Sequence, residues 1–368
     1  MDTRGISRAR FLAGAGAAVA ATVAGIDPAR AAAPARRLTY RGVCYGVADG
    51  ETPTTGWTAT RMRADLRAIA GDLHASSVSV YGTGVDRLAA TAAEAVERGL
   101  HVWLQPRLAD VPPADILDHL AETGRRAERL RRQGARVVLS VGCEYVLFVP
   151  GIVPGDDALE RVRNLLAGNY DPAVMRRRLT AFTQRAARTG RSVFHGPLTY
   201  GAAHDEEVDW SMFDLVSANY YGDRPGRDLA PHRRLGKPVA VTEFGCCTYA
   251  GAAADGGMGW DNVDYDKNPP EIVGNLVRSE RDQARFLTDR LDQFESMGLY
   301  AALAYDFVAP DAPHRRDPRY DLDLASYSIV RTSWDTPGPA PRWHWEPKLA
   351  FHALAQRFAV ACPPAGRR

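Results

Sequence analysis

Cysteine is scarce in this sequence, and its spacing argues against a structural zinc site. No Cys-x-x-Cys motif, the usual element of such a site, occurs among the five cysteines, which are Cys44, Cys143, Cys246, Cys247 and Cys362. An odd number of thiols cannot all pair within one chain. Two interpretations stay open for them: one disulfide in an exported protein, or thiols that act as small buried apolar side chains.

Several common catalytic signatures are also missing. The sequence contains no Gly-x-x-x-x-Gly-Lys phosphate loop, no His-Glu-x-x-His helix and no Gly-x-Ser-x-Gly elbow. These absences argue against a P-loop nucleotidase, a metallopeptidase of the zinc type and a serine hydrolase with a nucleophile elbow. We therefore expect no metal and no cofactor.

The chain lacks an excess of charge of either sign. Lys and Arg together number 46 and Asp and Glu 44, which gives a formal net charge of +2 with His neutral. A protein without a basic surplus has no general electrostatic attraction for nucleic acid or for anionic lipid. We expect no nucleic-acid partner, and the oligomeric state stays open.

The first 31 residues have the pattern of a signal peptide. Arg4, Arg8 and Arg10 precede an apolar run from Phe11 to Ile26, and the small residues of 29–31 suit cleavage. The run around these arginines resembles the twin-arginine export motif, with the arginine pair split by Ala9. We expect an exported protein, extracellular, periplasmic or in the cell envelope, with no stable membrane span after cleavage. An uncleaved anchor is the alternative.

Eight short apolar runs alternate with helical patterns over the rest of the chain. This count predicts a (β/α)8 barrel in a single domain at 38–360, after a linker at 32–37 and before a tail at 361–368. The predicted strands are 38–45, 76–83, 101–107, 136–144, 192–197, 214–221, 237–245 and 299–307. An open, doubly wound sheet is the alternative fold, but no Gly-x-Gly-x-x-Gly turn follows the first strand.

Two of these strands end in a glutamate. The fourth runs from Arg136 to Glu144, and the seventh, from Lys237 to Gly245, carries Glu243 near its end. Parallel strands of a barrel present their carboxyl ends on one face, where long loops build active sites. A pair of carboxyl groups there can hydrolyse an acetal when one is protonated and the other ionised. The alternative is that both glutamates form structural ion pairs, with Arg107 or Arg41 as partners.

These residues resemble a clan of retaining glycoside hydrolases with the (β/α)8 fold. The Thr-Glu-Phe-Gly run at 242–245 matches the nucleophile strand of that clan, while Cys143 stands where the clan usually has Asn before its acid/base Glu. The resemblance implies that Glu144 is the acid/base, that Glu243 is the nucleophile and that the substrate is a β-linked saccharide. The chain also resembles exported bacterial proteins labelled abortive phage infection proteins.

Further side chains at the predicted strand ends and loops are candidates for substrate binding. The resemblance implies that Tyr220 or Tyr221 donates a hydrogen bond to Glu243. Aromatic faces stack on sugar rings and polar groups bind hydroxyls. On these grounds we expect substrate contacts from Trp260 in a Gly-rich loop, and from His195, Asp306 and Arg107 at strand ends.

The leading hypothesis is an exported retaining glycoside hydrolase that acts on a carbohydrate by double displacement. The first alternative is a non-catalytic barrel that binds carbohydrate or cell envelope, which Cys143 favours. The second is a phage-defence-associated protein.

Overall fold

The computed structural model describes residues 37–47, 57–334 and 343–360. The predicted signal peptide at 1–31, the tail at 361–368 and Cys362 lie outside these residues. No helix within the described ranges is both long enough and apolar enough to cross a membrane.

Eight parallel strands close into a barrel, so the predicted (β/α)8 fold is confirmed and the open-sheet alternative is wrong. The strand order around the barrel is β1-β8-β7-β6-β5-β4-β3-β2. The strands are β1 (Tyr40–Gly46), β2 (Ser77–Gly82), β3 (His101–Pro106), β4 (Val137–Cys143), β5 (Leu198–Ala203), β6 (Val216–Asn219), β7 (Val239–Phe244) and β8 (Ala301–Ala304). Closure follows from β1, which pairs with both β2 and β8.

Helices follow most of the strands and surround the barrel. In the described residues they are α1 (Ala59–Arg67), α2 (Val85–Glu97), α3 (Pro113–Arg132), α4 (Tyr145–Phe148), α5 (Ala158–Ala167), α6 (Pro172–Val193), α7 (Pro225–Asp228), α8 (Ala230–Arg233), α9 (Glu280–Ser296) and α10 (Leu349–Ala359). Two short antiparallel hairpins, Val263–Asp264 with Glu271–Ile272 and Val330–Trp334 with Trp343–Pro347, lie in the loops after β7 and β8.

The helix starts have the residue types that stabilise free backbone N–H groups. Thr58 caps α1 and accepts a hydrogen bond from the backbone N–H of Arg61. Asp171 caps α6 in the same way, and Pro172 occupies the first turn.

The interior of the barrel is a packed core. Cys44, Trp103, Val138, Ala240 and Leu303 come from five different strands and are buried together. Because the interior is filled, the only broad concavity that the barrel can offer lies above the strand ends, where the loops are. The segments after β4, β7 and β8 are long, and they carry α4, α5 and both hairpins.

The predicted fifth strand at 192–197 is wrong, and the strand begins at Leu198 instead. The sequence pattern takes Gly190 for a helix end, but α6 continues to Val193 and the N–H of Phe194 still donates to Gly190. Glycine stands there because the helix packs closely on the sheet. A Cβ at Gly190 would lie 2.9 Å from Leu198 Cδ1 and 3.1 Å from Val141 Cγ1.

Candidate active site

A large cleft opens at the carboxyl ends of the strands. Its volume is about 2170 Å³, and both Glu144 and Glu243 line it. Typical pockets for a single small ligand measure about 300–1,000 Å³. The cleft is therefore large enough for a chain of several sugar rings, and the two predicted carboxyl groups share it.

Glu144 lies in a sharp turn between β4 and α4. Its backbone adopts φ 35° and ψ 60°, which is the left-handed region that non-glycine residues rarely enter. The N–H of Glu144 donates to the carbonyl of Gly201 at 2.8 Å, and its carbonyl accepts from Leu147 at 2.8 Å. Such a conformation costs about 1–3 kcal/mol, and it persists only where the surroundings fix it. The turn directs a mostly buried carboxyl group into the cleft.

Glu243 is the fifth residue of β7 and is held by two different donors. The guanidinium of Arg107 donates to Oε1, and the hydroxyl of Tyr221 donates to Oε2 at 2.9 Å. A cation and a phenol on a buried carboxylate both stabilise its negative charge. The two donors therefore fix the position of Glu243 at the base of the cleft.

Asn219, which ends β6, connects the two carboxyl groups. Its Nδ2 lies 3.2 Å from Glu144 Oε1 and 3.3 Å from the Sγ of Cys143, and that Sγ lies 3.8 Å from Glu243 Oε1. The hydroxyl of Thr242 donates to Asn219 Oδ1 at 3.0 Å, which fixes the orientation of the amide. The sequence analysis missed Asn219. The available signal was an amide at the end of the sixth strand.

Arg107 lies immediately after β3, and its guanidinium is centred 4.2 Å above the ring of Tyr81. Gln105 accepts two of its hydrogen bonds, at 2.6 and 3.2 Å. The ion-pair alternative named Arg107 as a partner, and Arg107 does pair with Glu243, but within the cleft. The other named partner, Arg41, pairs instead with Glu295 at 3.1 Å.

The two adjacent tyrosines after β6 point in different directions. Tyr221 contacts Glu243 and lines the cleft, as expected for the donor. Tyr220 is fully buried and donates to Asp228 Oδ2 of α7 at 2.9 Å, away from both carboxyl groups. The structure therefore does not bring Tyr220 to the site.

Asp306 lies in the cleft wall, two residues beyond the end of β8. The hydroxyl of Tyr81 lies 3.3 Å from Asp306 Oδ2 and 3.3 Å from the hydroxyl of Tyr305. Burial raises the pKa of Asp306 to about 8, with the charge of Asp311 adding to the effect and Tyr81 opposing it. At neutral pH Asp306 is therefore a protonated acid that can donate to a ligand hydroxyl.

Trp260 also lines the cleft. It lies in the short 3-10 helix of Gly256–Asn262, is half-buried and packs on a cluster that includes Tyr221 and Tyr327. Tyr221 was predicted as a donor, but Tyr327 was not predicted, because their loops converge only in three dimensions. With Tyr305 they give the cleft an aromatic side.

His195 does not reach the site, and the expectation that it binds substrate is wrong. The residue lies three positions before β5, because the strand begins at Leu198 and not at residue 192 as predicted, which places it at the amino-terminal end of the barrel. Its side chain is 62% exposed, and its Nδ1 lies 3.4 Å from Glu128 of α3.

Another carboxyl group of the cleft, Glu206, is close enough to Glu144 for their charges to interact, and no sequence pattern predicts it. It follows β5, is buried and lines the same cleft. Burial raises the pKa of Glu206 well above its ordinary value, and the charge of Glu144 adds to this effect.

Four of the five cysteines lie within the described residues. Cys44, Cys143, Cys246 and Cys247 are buried free thiols, which agrees with the interpretation that they act as small apolar side chains. Within the described ranges, no three His, Cys, Asp or Glu side chains are grouped so that they could hold a metal ion.

The fold and the cleft place this chain among (β/α)8 barrels with an open carboxyl-end cleft. No protein-family model and no curated protein matches the sequence. Similar solved structures include a complex of a GH113 β-1,4-mannanase, 14% identical with a TM-score of 0.55, covering 88% of this chain and 99% of that one. A GH113 β-mannanase from Alicyclobacillus acidocaldarius in complex with ManMIm is 18% identical with a TM-score of 0.53, covering 88% and 98%.

A further similar structure is β-glucuronidase 2 of Bacteroides uniformis, covalently bound to cyclophellitol-6-carboxylate aziridine. It is 14% identical with a TM-score of 0.50, and the match covers 81% of this chain and 33% of that one. At these identities the likeness shows the fold, which is a barrel of the type found in glycoside hydrolases.

Proposed function

We propose that this protein is a glycoside hydrolase that cleaves a β-linked saccharide with retention of anomeric configuration. The observation that carries the proposal is that Glu144 and Glu243, from β4 and β7, line one cleft and have different hydrogen-bond partners. A retaining enzyme requires this division, because one carboxyl group must deliver a proton while the other attacks as an anion.

Glu243 serves as the nucleophile in this proposal. Arg107 and Tyr221 hold its carboxylate ionised and aimed, so that one oxygen attacks the anomeric carbon as the glycosidic bond breaks. Glu144 gives its proton to the departing oxygen. In the second step Glu144 takes a proton from water, which then displaces Glu243 from the sugar.

The form of the cleft supports an oligomeric substrate. Its volume of about 2170 Å³ exceeds what one sugar ring needs, and Trp260, Tyr221 and Tyr305 offer aromatic faces along it. Two of the similar structures are titled as β-mannanases. We therefore place β-1,4-linked mannan first among the substrates to test, followed by other β-linked polysaccharides.

The test is activity of the purified chain on a panel of polysaccharides and aryl glycosides, with Glu243→Gln and Glu144→Gln beside the wild type. Glu243→Gln should lose at least about 10³-fold in kcat, because no covalent intermediate can form. Glu144→Gln should lose about 10²–10⁴-fold on substrates with poor leaving groups and far less on activated aryl glycosides, whose departing oxygen needs little protonation.

His195→Ala is the control, since this side chain lies at the other end of the barrel and should leave activity unchanged. Proton NMR of the first-formed anomer tests retention. Full activity in Glu243→Gln would exclude the nucleophile assignment, and an inverted first product would exclude double displacement.

A second candidate function is non-catalytic binding of carbohydrate, and the thiol of Cys143 between the two carboxyl groups favours it. A wild type that binds oligosaccharide in calorimetry but turns over no substrate on the panel would support this candidate. Phage defence has no support from the site and stays a proposal from resemblance alone.

We also propose export, from the pattern of residues 1–31. Mass spectrometry of secreted protein should find a mature start near Ala32, and intact protein confined to the cytoplasm would contradict this.

A further inference from the structure

Glu206 is a buried carboxyl group in the cleft that the two-carboxylate mechanism does not use. It accepts hydrogen bonds from the hydroxyl of Tyr200 at 2.9 Å, from the N–H of Ala203 at 3.0 Å and from the N–H of Val146 at 3.4 Å. A carboxyl group with so little exposure is rarely retained without partners or a task.

The contacts of Glu206 converge on the turn that carries Glu144. The two backbone N–H groups that follow Glu144 belong to Tyr145 and Val146. The first donates to the hydroxyl of Tyr200 at 2.6 Å and the second donates to Glu206. Tyr200 in turn donates to Glu206, so that tyrosine and carboxyl group together hold both N–H groups.

These hydrogen bonds act next to a residue whose backbone conformation is unfavourable. Glu144 has φ 35°, a conformation that costs about 1–3 kcal/mol and has to be stabilised by the surroundings. Without Glu206 and Tyr200, the N–H groups of Tyr145 and Val146 would be buried and unsatisfied, and the turn could relax. The direction in which the carboxyl group of Glu144 points therefore depends on Glu206.

We propose that Glu206 is a positioning residue for the acid of the reaction, which fixes the turn of Glu144 through the N–H of Val146 and the hydroxyl of Tyr200. The inference rests on the proposed function, because it assigns Glu144 as the acid. The charges of the two carboxyl groups also interact, so ionisation of one opposes ionisation of the other.

The charged and titratable groups around Glu206 agree with this assignment. They are Glu144 after β4, Tyr145 of α4, Tyr200 of β5 and Asp205 of the same loop. Burial and the charge of Glu144 both act to raise the pKa of Glu206, and Asp205 acts in the same direction. In the proposed function Glu144 gives its proton to the departing glycosidic oxygen, and a negative charge on Glu206 opposes the earlier loss of that proton.

The variant that tests the proposal is Glu206→Gln, which keeps the volume and an acceptor oxygen but removes the charge. The alkaline limb of kcat/KM against pH should move to lower pH by about one unit, because the repulsion that retains the proton is gone. Activity above the limb should then fall about tenfold, and more on poor leaving groups than on activated aryl glycosides.

Glu207→Gln is the matched control. It removes the same charge one residue away, from a side chain that is 65% exposed and pairs with Arg176 at 2.6 Å. Its pH profile should superimpose on that of the wild type. A Glu206→Gln profile that also superimposes would overturn the proposal.

A titration of the wild type separates this inference from the proposed function and needs no activity. In ¹³C NMR of protein labelled at the glutamate side-chain carboxyl, the signals of Glu144 and Glu206, assigned through Glu144→Gln, should move together in two separated steps. Independent single titrations would overturn the charge interaction between the two groups. If the wild type cleaves no glycoside but the two coupled steps appear, the proposed function fails while the carboxyl pair stands.

Discussion

Arg107, which directly follows β3, forms an ion pair with Glu243 of β7, the strand on the opposite side of the barrel. The two side chains are 15% and 8% exposed, so the pair is largely withdrawn from water. Because the strands are four positions apart around the ring, the contact crosses the mouth of the barrel. Arg107 therefore holds the carboxylate of Glu243 from the β3 side of the barrel, and Tyr221 holds it from the side of the neighbouring strand β6.

We expect Arg107→Met to damage both stability and activity. Removal of the cation leaves Glu243 as an uncompensated buried charge, which costs about 3–5 kcal/mol. Arg107→Lys keeps the charge but loses the fork that also binds Gln105, and it should cost less. Urea unfolding measures the unfolding free energies of the wild type, Arg107→Lys and Arg107→Met, which should decrease in that order. Equal stability of Arg107→Met and the wild type would show that the pair is not coupled to folding.

The adjacent tyrosines after β6 allow a matched pair of variants. Tyr221→Phe removes the donor to Glu243 and should lower kcat by about 10–100-fold, because a hydrogen bond to a charged group contributes about 1.5–3 kcal/mol. Tyr220→Phe removes the bond to Asp228 and should leave kcat unchanged while it lowers stability by about 1–2 kcal/mol. The measurements are steady-state kinetics and thermal melts of both variants. The reverse pattern would contradict the assignment of Tyr221 as the donor.

Much of the fold could be predicted from the sequence because buried parallel strands have a strong signature. Each barrel strand is a short apolar run between helical segments, and both glutamates end such a run. The failure at β5 has a specific cause. Gly190 acts as a close-packing position inside α6, and a glycine in that role cannot be distinguished in a single sequence from one that ends a helix.

The rest of the site depends on contacts between loops, which the alternation pattern does not encode. Tyr220 and Tyr221 both follow the last paired residue of β6. The alternation of side chains between the two faces of a strand therefore does not predict which of them points into the cleft. Glu206 gains its role only because the loop after β5 folds onto the turn after β4. Asn219 lies near the end of the predicted sixth strand, so the sequence offered it as a candidate, but a polar residue near a strand end does not by itself identify the carboxyl group that it contacts.

The unfolding free energy should depend on pH through the titration of Asp306. Burial raises its pKa to about 8 in the folded protein, whereas the ordinary value is 3.8. Between pH 4 and pH 8 the folded state thus holds a proton that the unfolded state has lost. The contribution of Asp306 to stability therefore falls as the pH rises through this window, by up to about 1.4 kcal/mol per pH unit, and levels off above pH 8.

Asp306→Asn removes this titration, so we expect the variant to gain stability relative to the wild type as the pH rises from 4 to 8. The difference in unfolding free energy between the two proteins, measured by urea unfolding at several pH values, isolates Asp306 from the other groups that titrate there. Asp223→Asn is the control for the change of Asp to Asn alone, because that side chain is 77% exposed. A pH-independent difference for Asp306→Asn would mean that Asp306 is ionised in the folded protein. In that state it could accept a hydrogen bond from a substrate hydroxyl but could not donate one.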